Sequence, residues 1–308
     1  MPPPSSVATA AQQHLAEQQE LQTEALLRLD EALAEWSGRP DEWTDHVLGI
    51  GDDLLGFQVA AAAGADDYLA AVLAAQGVAV APEGVVAPAA FADLADGGGS
   101  WLRKISFTVA SVAEVEAPEL ERALWVARSI VLTGIQDVGR AAVQVAMQAE
   151  PGVTGYVRML NPPSCSRCVL LAGRTYRSAT AFRRHPRCDC RHIPKAEDSG
   201  DWTTSPQGYF GSLTTDEQNE TFGRENAEAI RLGADISQVV NAEQGVTTVG
   251  GIRGQVVTSR SLAGAALDLE RGQTAFRPLP DEIFQAAERA GWDRAEMLRQ
   301  LRRFGYII

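Results

Sequence analysis

Residues 155–195 read GYVRMLNPPSCSRCVLLAGRTYRSATAFRRHPRCDCRHIPK, and they hold every cysteine of the 308-residue chain. Cys165 and Cys168 form a C-x2-C pair, Cys188 and Cys190 a C-x-C pair, and His185 and His192 flank the second pair. Cysteines that serve only core packing scatter along a chain, so this window needs a chemical reason. A C-x2-C turn lets two thiolates reach one tetrahedral ion at Zn–S distances of about 2.3 Å. A second pair about twenty residues later fits zinc-ligand spacing. Counting His185, five ligands compete for four positions. Either Cys165, Cys168, Cys188 and Cys190 close an all-thiolate site, or His185 replaces one thiolate. The same atoms allow two other readings. They can pair as disulfides in a small loop-rich module where the compartment oxidises thiols, or one thiol can be a nucleophile with His185 or His192 as its base.

The window also carries a resemblance. Cys165-Ser-Arg-Cys168, Leu170-Leu171, Gly173, Tyr176, His185-Pro186-Arg187-Cys188-Asp189-Cys190 and Pro194 resemble the phage Mu F-like (MuF) minor head proteins. Downstream, Thr221-Phe222-Gly223-Arg224-Glu225-Asn226-Ala227, Gly233 and Val239-Val240-Asn241-Ala242 look like the same family, so the likeness spans roughly residues 120–245. It implies a low-copy head protein that acts in head morphogenesis and associates with the portal protein and the major capsid protein. The implied location is the virion, in the head interior or at the portal vertex, with the host cytoplasm as the site of assembly. Relatives in actinobacterial phages carry the label capsid maturation protease, which makes an enzyme the alternative reading.

Composition narrows the field. A hydrophobic share of 45% and a charged share of 22% are ordinary globular usage, and abundant alanine favours helices. The net charge of −13 argues against a general nucleic-acid binder. The charge is uneven, however. Between Met1 and Gly99 the only cations are Arg28 and Arg39, whereas Arg158, Arg167, Arg174, Arg177, Arg183, Arg184, Arg187, Arg191 and Lys195 crowd the cysteine window. Such a patch can meet phosphate, which makes packaged DNA a lower alternative partner; the simpler reading is a solvated face that offsets bound thiolates. The opening MPPPSSVATAAQQHLAEQQ lacks the basic and apolar regions of a signal peptide. No run of about 18 apolar residues marks a membrane span. The expected setting is therefore cytosolic, where thiols stay reduced and metal is favoured over disulfides.

Periodicity places the remaining elements. Met1 to Ser6 reads as a mobile Pro/Ser arm. Helices are expected over Ala8–Trp36, Asp41–Ala63 and Asp66–Gln76, followed by a connector over Gly77–Ala90 and a glycine break at Gly97-Gly98-Gly99. Leu120, Leu124, Ala127, Val131, Ile135, Val138, Ala142 and Val145 recur at helical steps, with Pro118 at the start and Pro151-Gly152 at the end. In the cysteine module Gly155–Leu160, Val169–Leu171 and Cys190–Ile193 read as strands, and so short a module gains from a metal staple. Thr214-Thr215-Asp216-Glu217 is a capping-box start for a helix that continues to Gly233, with a short turn over Asp235–Asn241. Gly245–Phe276 reads as an extended arm or ordered loop that wraps a neighbouring subunit, and an oligomeric state in the virion is expected. Asp281–Ala290 and Arg294–Phe304 read as a helical pair with Asp293 as N-cap and Gly305 as C-cap.

These readings combine into a mainly α protein with a small α+β zinc-stapled module. A helical N-terminal domain (1–151) precedes the MuF-like domain (152–245), and an extended arm with a C-terminal helical pair (246–308) follows.

Overall fold

The longest apolar periodicity of the chain forms its longest helix, around which most of the other N-terminal helices pack. The structure is a computed structural model that describes residues 4–78, 82–95, 98–110, 117–160, 164–180, 190–196, 202 and 205–307. It is mainly helical with two small antiparallel sheets. No single helix among the described residues is long and apolar enough to cross a membrane. By contact the chain falls into two units, Met1–Asn161 with Gly173–Thr203, and Pro162–Ala172 with Thr204–Ile308.

The first unit begins with α1 (Ser5–Glu35), then α2 (Trp43–Gly49), α3 (Gly51–Ala63), α4 (Ala65–Ala75), α5 (Trp101–Ala110) and α6 (Ala117–Ala149). Its strands are β1 (Val153–Met159), β2 (Thr175–Arg177) and β3 (Arg191–Ala196), in the order β2-β1-β3. Helix α6 packs against α1, α3, α4 and α5. Between Gly134 and Arg140 it is buried on every side, which a one-faced amphipathic stripe does not anticipate. Two glycines make the close packing possible. A Cβ at Gly134 would stand 2.0 Å from Nε1 of Trp101, and one at Gly139 would stand 2.3 Å from Oε1 of Gln18. The indole of Trp101 lies in the first gap and donates to the Ile130 carbonyl at 3.0 Å. Trp43 is likewise buried, as a core anchor, and its Nε1–H donates to the Ile105 carbonyl.

Several expectations need correction here. Ser5 and Ser6 already belong to α1, so the proposed mobile arm loses them; Met1 to Pro3 lie outside the described residues. The helix expected over Asp41–Ala63 is broken at Ile50, whose φ of −107° and ψ of 10° leave the helical region between two glycines. Of the α6 stripe, Val145 is exposed, because the helix turns that face outward in its last turns. The β1 and β3 strands stand where they were expected, in antiparallel register with Val157 opposite Ile193 and Arg158 opposite His192.

The second unit contains α7 (Ser166–Leu171), α8 (Pro206–Ser212), α9 (Thr215–Phe222), α10 (Arg224–Arg231) and α11 (Ile236–Ala242). There follow β4 (Val246–Val249), β5 (Ile252–Thr258), α12 (Leu262–Ala266), β6 (Thr274–Pro278), α13 (Pro280–Ala290) and α14 (Arg294–Arg303). Val169–Leu171, expected as a strand, is the second half of α7, because Cys165 caps a helical turn ahead of it. The helix expected from Thr214 to Gly233 is split by Gly223, which adopts φ +84°. The capping box itself forms, with the Thr214 hydroxyl accepting from the Glu217 N–H and the Glu217 carboxylate accepting from the Thr214 N–H.

The largest difference concerns Gly245–Phe276. It is no arm, since β4, β5 and β6 form an antiparallel sheet in chain order. Val249 pairs with Ile252, and Gly250 and Gly251 between them both take positive φ, 60° and 82°. Two central residues at positive φ make a type I′ turn, whose twist suits a tight hairpin. The chain's end packs back on this sheet. Arg277 of β6 is 1% exposed and lies over the Tyr306 ring, 3.6 Å from its centroid. It donates to Gln238 Oε1 and to the Gly305 carbonyl, while the Tyr306 hydroxyl donates to the Pro278 carbonyl.

Candidate functional site

The C-x2-C pair sits on the first turn of α7. Cys165 is the exposed N-cap residue, and its Sγ accepts the Cys168 backbone N–H at 3.4 Å. Cys168, three residues on, is buried. Helix N-termini favour thiolate over thiol because unpaired N–H groups converge there, so this turn suits a thiolate pair. Cys190 is buried immediately before β3, and its carbonyl accepts from Nε of Arg140 at 2.8 Å. His185 and Cys188 lie outside the described residues, as do Arg183, Arg184, Arg187 and Asp189. Among the described residues no three His, Cys, Asp or Glu side chains come together as a metal-holding group.

The arginine patch is thinner than its sequence. Arg158 and Arg191 are buried, at 2% and 4% exposure, and are interior groups of the β1–β3 sheet instead of a phosphate-facing surface. Arg167, Arg174 and Arg177 are exposed. Lys195 is half-buried, with its ammonium 6.0 Å from the Trp202 ring.

Around Cys190 the first unit builds a polar junction that sequence reading missed. His14 of α1 stacks on Tyr68 of α4 with centroids 4.2 Å apart and planes 9° from parallel. The Tyr68 hydroxyl donates to the His192 carbonyl at 2.6 Å, and the His192 ring meets Tyr156 edge-on at 4.2 Å. Arg140 of α6 pairs with Asp137 at 3.2 Å as well as holding the Cys190 carbonyl. Gln18 donates through Nε2 to the Ala61 carbonyl. Burial, with the Arg191 cation as a second cause, pushes the His14 pKa down to about 4, so this imidazole is neutral at pH 7. Burial likewise raises the Tyr68 phenol, keeping it a hydrogen-bond donor. The junction thus ties β3, at the end of the cysteine window, to α1, α4 and α6, helices far earlier in the chain. His192, considered above as a base, is packed inside this junction at 6% exposure.

A signal for the junction exists in the sequence. Val7, Ala11, His14, Leu15, Gln18, Gln22, Ala25, Leu29 and Ala32 form the buried face of α1, at steps of three and four. His14, Gln18 and Gln22 occupy places where the rhythm calls for apolar residues, which marks them as buried polar groups.

No curated protein and no solved structure matches the chain. The profile described as VG15 protein matches residues 6–212, about two thirds of its length, and this stretch contains α1 to α6, the first sheet and all four cysteines. The chain therefore belongs to the VG15 family, the viral gene 15 proteins, and that membership marks it as a phage protein.

Proposed function

We propose that this protein is a minor head protein acting in phage head morphogenesis, in contact with the portal protein and the major capsid protein. The observation that carries the reading is membership of a phage family over residues 6–212, joined to a cysteine window that resembles the MuF minor head proteins. Its place is the virion, and it acts by binding, with no catalytic step. The test is quantitative mass spectrometry of purified virions and of proheads, with cross-linking to locate neighbours. A few copies per head, cross-linked to portal or capsid protein, are expected; absence from both particles would refute the proposal.

The cysteine module is proposed to hold a structural zinc. Cys165, Cys168, Cys188 and Cys190 would be its ligands, with His185 as the alternative to one thiolate. Support comes from the donor set itself and from the capped turn that presents Cys165 and Cys168. When bound, such an ion supplies folding free energy, on the order of 10 kcal/mol for structural sites. Elemental analysis of the untagged protein should find one zinc per chain, with thiols protected until chelation. Metal-free protein with reactive thiols would instead bring the maturation-protease reading forward.

A further inference from the structure

The junction of α1, α4, α6 and β3 encloses a small cavity with room for water centres of about 10 Å³. It is lined by His14, Gln18, Tyr68, Arg140, Arg191 and His192, every one of them less than a tenth exposed. Two of these side chains carry buried atoms with no hydrogen-bond partner among the described residues, Gln18 Oε1 and His14 Nδ1, the latter 4.0 Å from a carboxylate oxygen of Glu17. The orientation of the Gln18 amide is fixed by its other end, since Nε2 donates to the Ala61 carbonyl at 3.0 Å. Its oxygen therefore has to accept from something else.

We infer that this cavity is a binding site for one structural water, hydrogen-bonded to Gln18 and His14, that completes the docking of α1. A buried polar atom left unpaired costs roughly 1–3 kcal/mol, and buried waters sit where two to four such groups converge. A site of roughly 10–15 Å³ takes a single water, so the volume excludes phosphate and other polyatomic anions despite the two arginines on the wall. The water donates one hydrogen to Gln18 Oε1. Toward His14 Nδ1 it donates or accepts according to the imidazole tautomer. Gly139 belongs to the same design, because a Cβ there would meet Gln18 Oε1 at 2.3 Å and drive the amide out of place.

A crystal structure of the full chain at atomic resolution tests the inference directly. One ordered water within hydrogen-bond distance of Gln18 Oε1 or His14 Nδ1 is the expected result; a dry cavity, or a halide in place of water, overturns it. In solution, oxygen-17 relaxation dispersion counts long-lived internal waters. The double variant His14→Phe, Gln18→Leu should lower that count by about one, and an unchanged count in a folded variant would also overturn it. Should the variant fail to fold, the crystal structure of the wild type decides.

Discussion

The two units hold their helices by different means. In the first, α1, α2, α3 and α4 have no side-chain hydrogen bond at their N-caps. What holds α1, α3 and α4 is burial against α6, while α2 packs against α5, with side chains such as Leu29, Leu54, Ile105 and Ile135 fully enclosed. Each such side chain contributes about 1.5–3 kcal/mol. In the second unit the helices are short, and most carry their own cap. Cys165, Ser205, Thr214, Asp235, Ser261 and Asp293 each accept a backbone N–H of the following turn. A helix of 31 residues can rely on a long tertiary face, whereas one of 8 gains more from a cap at its end, although α2 and α10 do without one. The histidines divide the same way, since His14, His46 and His192 belong to the first unit and the residues of the second include none.

This contrast can be broken most forcefully at Trp101. Trp101→Ala empties the notch beside Gly134 and removes the indole's hydrogen bond to the Ile130 carbonyl, and should cost about 3–5 kcal/mol. Hydrogen exchange would show lost protection along α5 and α6; a cost below about 1 kcal/mol in denaturant unfolding would mean that α6 is not the keystone of the first unit.

Acid comes next. His14 has its folded pKa lowered from 6.5 to about 4, so the unfolded chain takes the proton first. Stability from this group is complete above pH 6.5 and falls as pH drops from 6.5 towards 4. The loss should reach about 3 kcal/mol at roughly 1.4 kcal/mol per unit. Urea unfolding of the wild type and of His14→Phe across that window measures it, and parallel slopes for the two proteins would contradict the assignment. The second unit has no histidine. Its pH response lies lower. Hydrogen bonds from Thr214 to Glu217, and from Gln300 and Arg299 to Glu296, hold both carboxyls below their ordinary range. Their contribution is present above that range and disappears as pH falls through the lowered values.

Gly134→Ala is a sharper, smaller probe. Alanine favours a helix interior, yet here its methyl meets the indole, and overpacking of this kind costs about 1–3 kcal/mol. A stabilised variant would show that Trp101 moves aside freely. Smallest is Thr214→Ala in the second unit, where losing the capping box should cost about 1 kcal/mol. Fraying confined to the first turn of α9, read by amide exchange, is the expected pattern.

Much of the helical architecture was legible because it is written in local rules. The stripe from Ala127 to Ala142, the Thr214 box, the Asp293 cap and the Gly305 stop are each readable over a few residues. The hairpin at Gly250-Gly251 is equally local, since a Gly-Gly pair between β-branched residues is a strong turn signal. α7 has no such mark, because a short apolar run, Val169–Leu171, suits a strand or a buried helical turn alike. Other features had no local mark. Arg158 and Arg191 resemble surface cations in the sequence, and only the pairing of β1 with β3 takes them inside.

The sequence by itself determined where helices run, which turns end them, and that four thiols share one window, because propensity, capping and spacing act over single turns of chain. Tertiary structure alone decided that α6 is enclosed on every side between Gly134 and Arg140, that His14 is neutral beside Tyr68, and that Cys190 is held through Arg140. Those facts depend on burial and on partners tens of residues away, which no local pattern encodes.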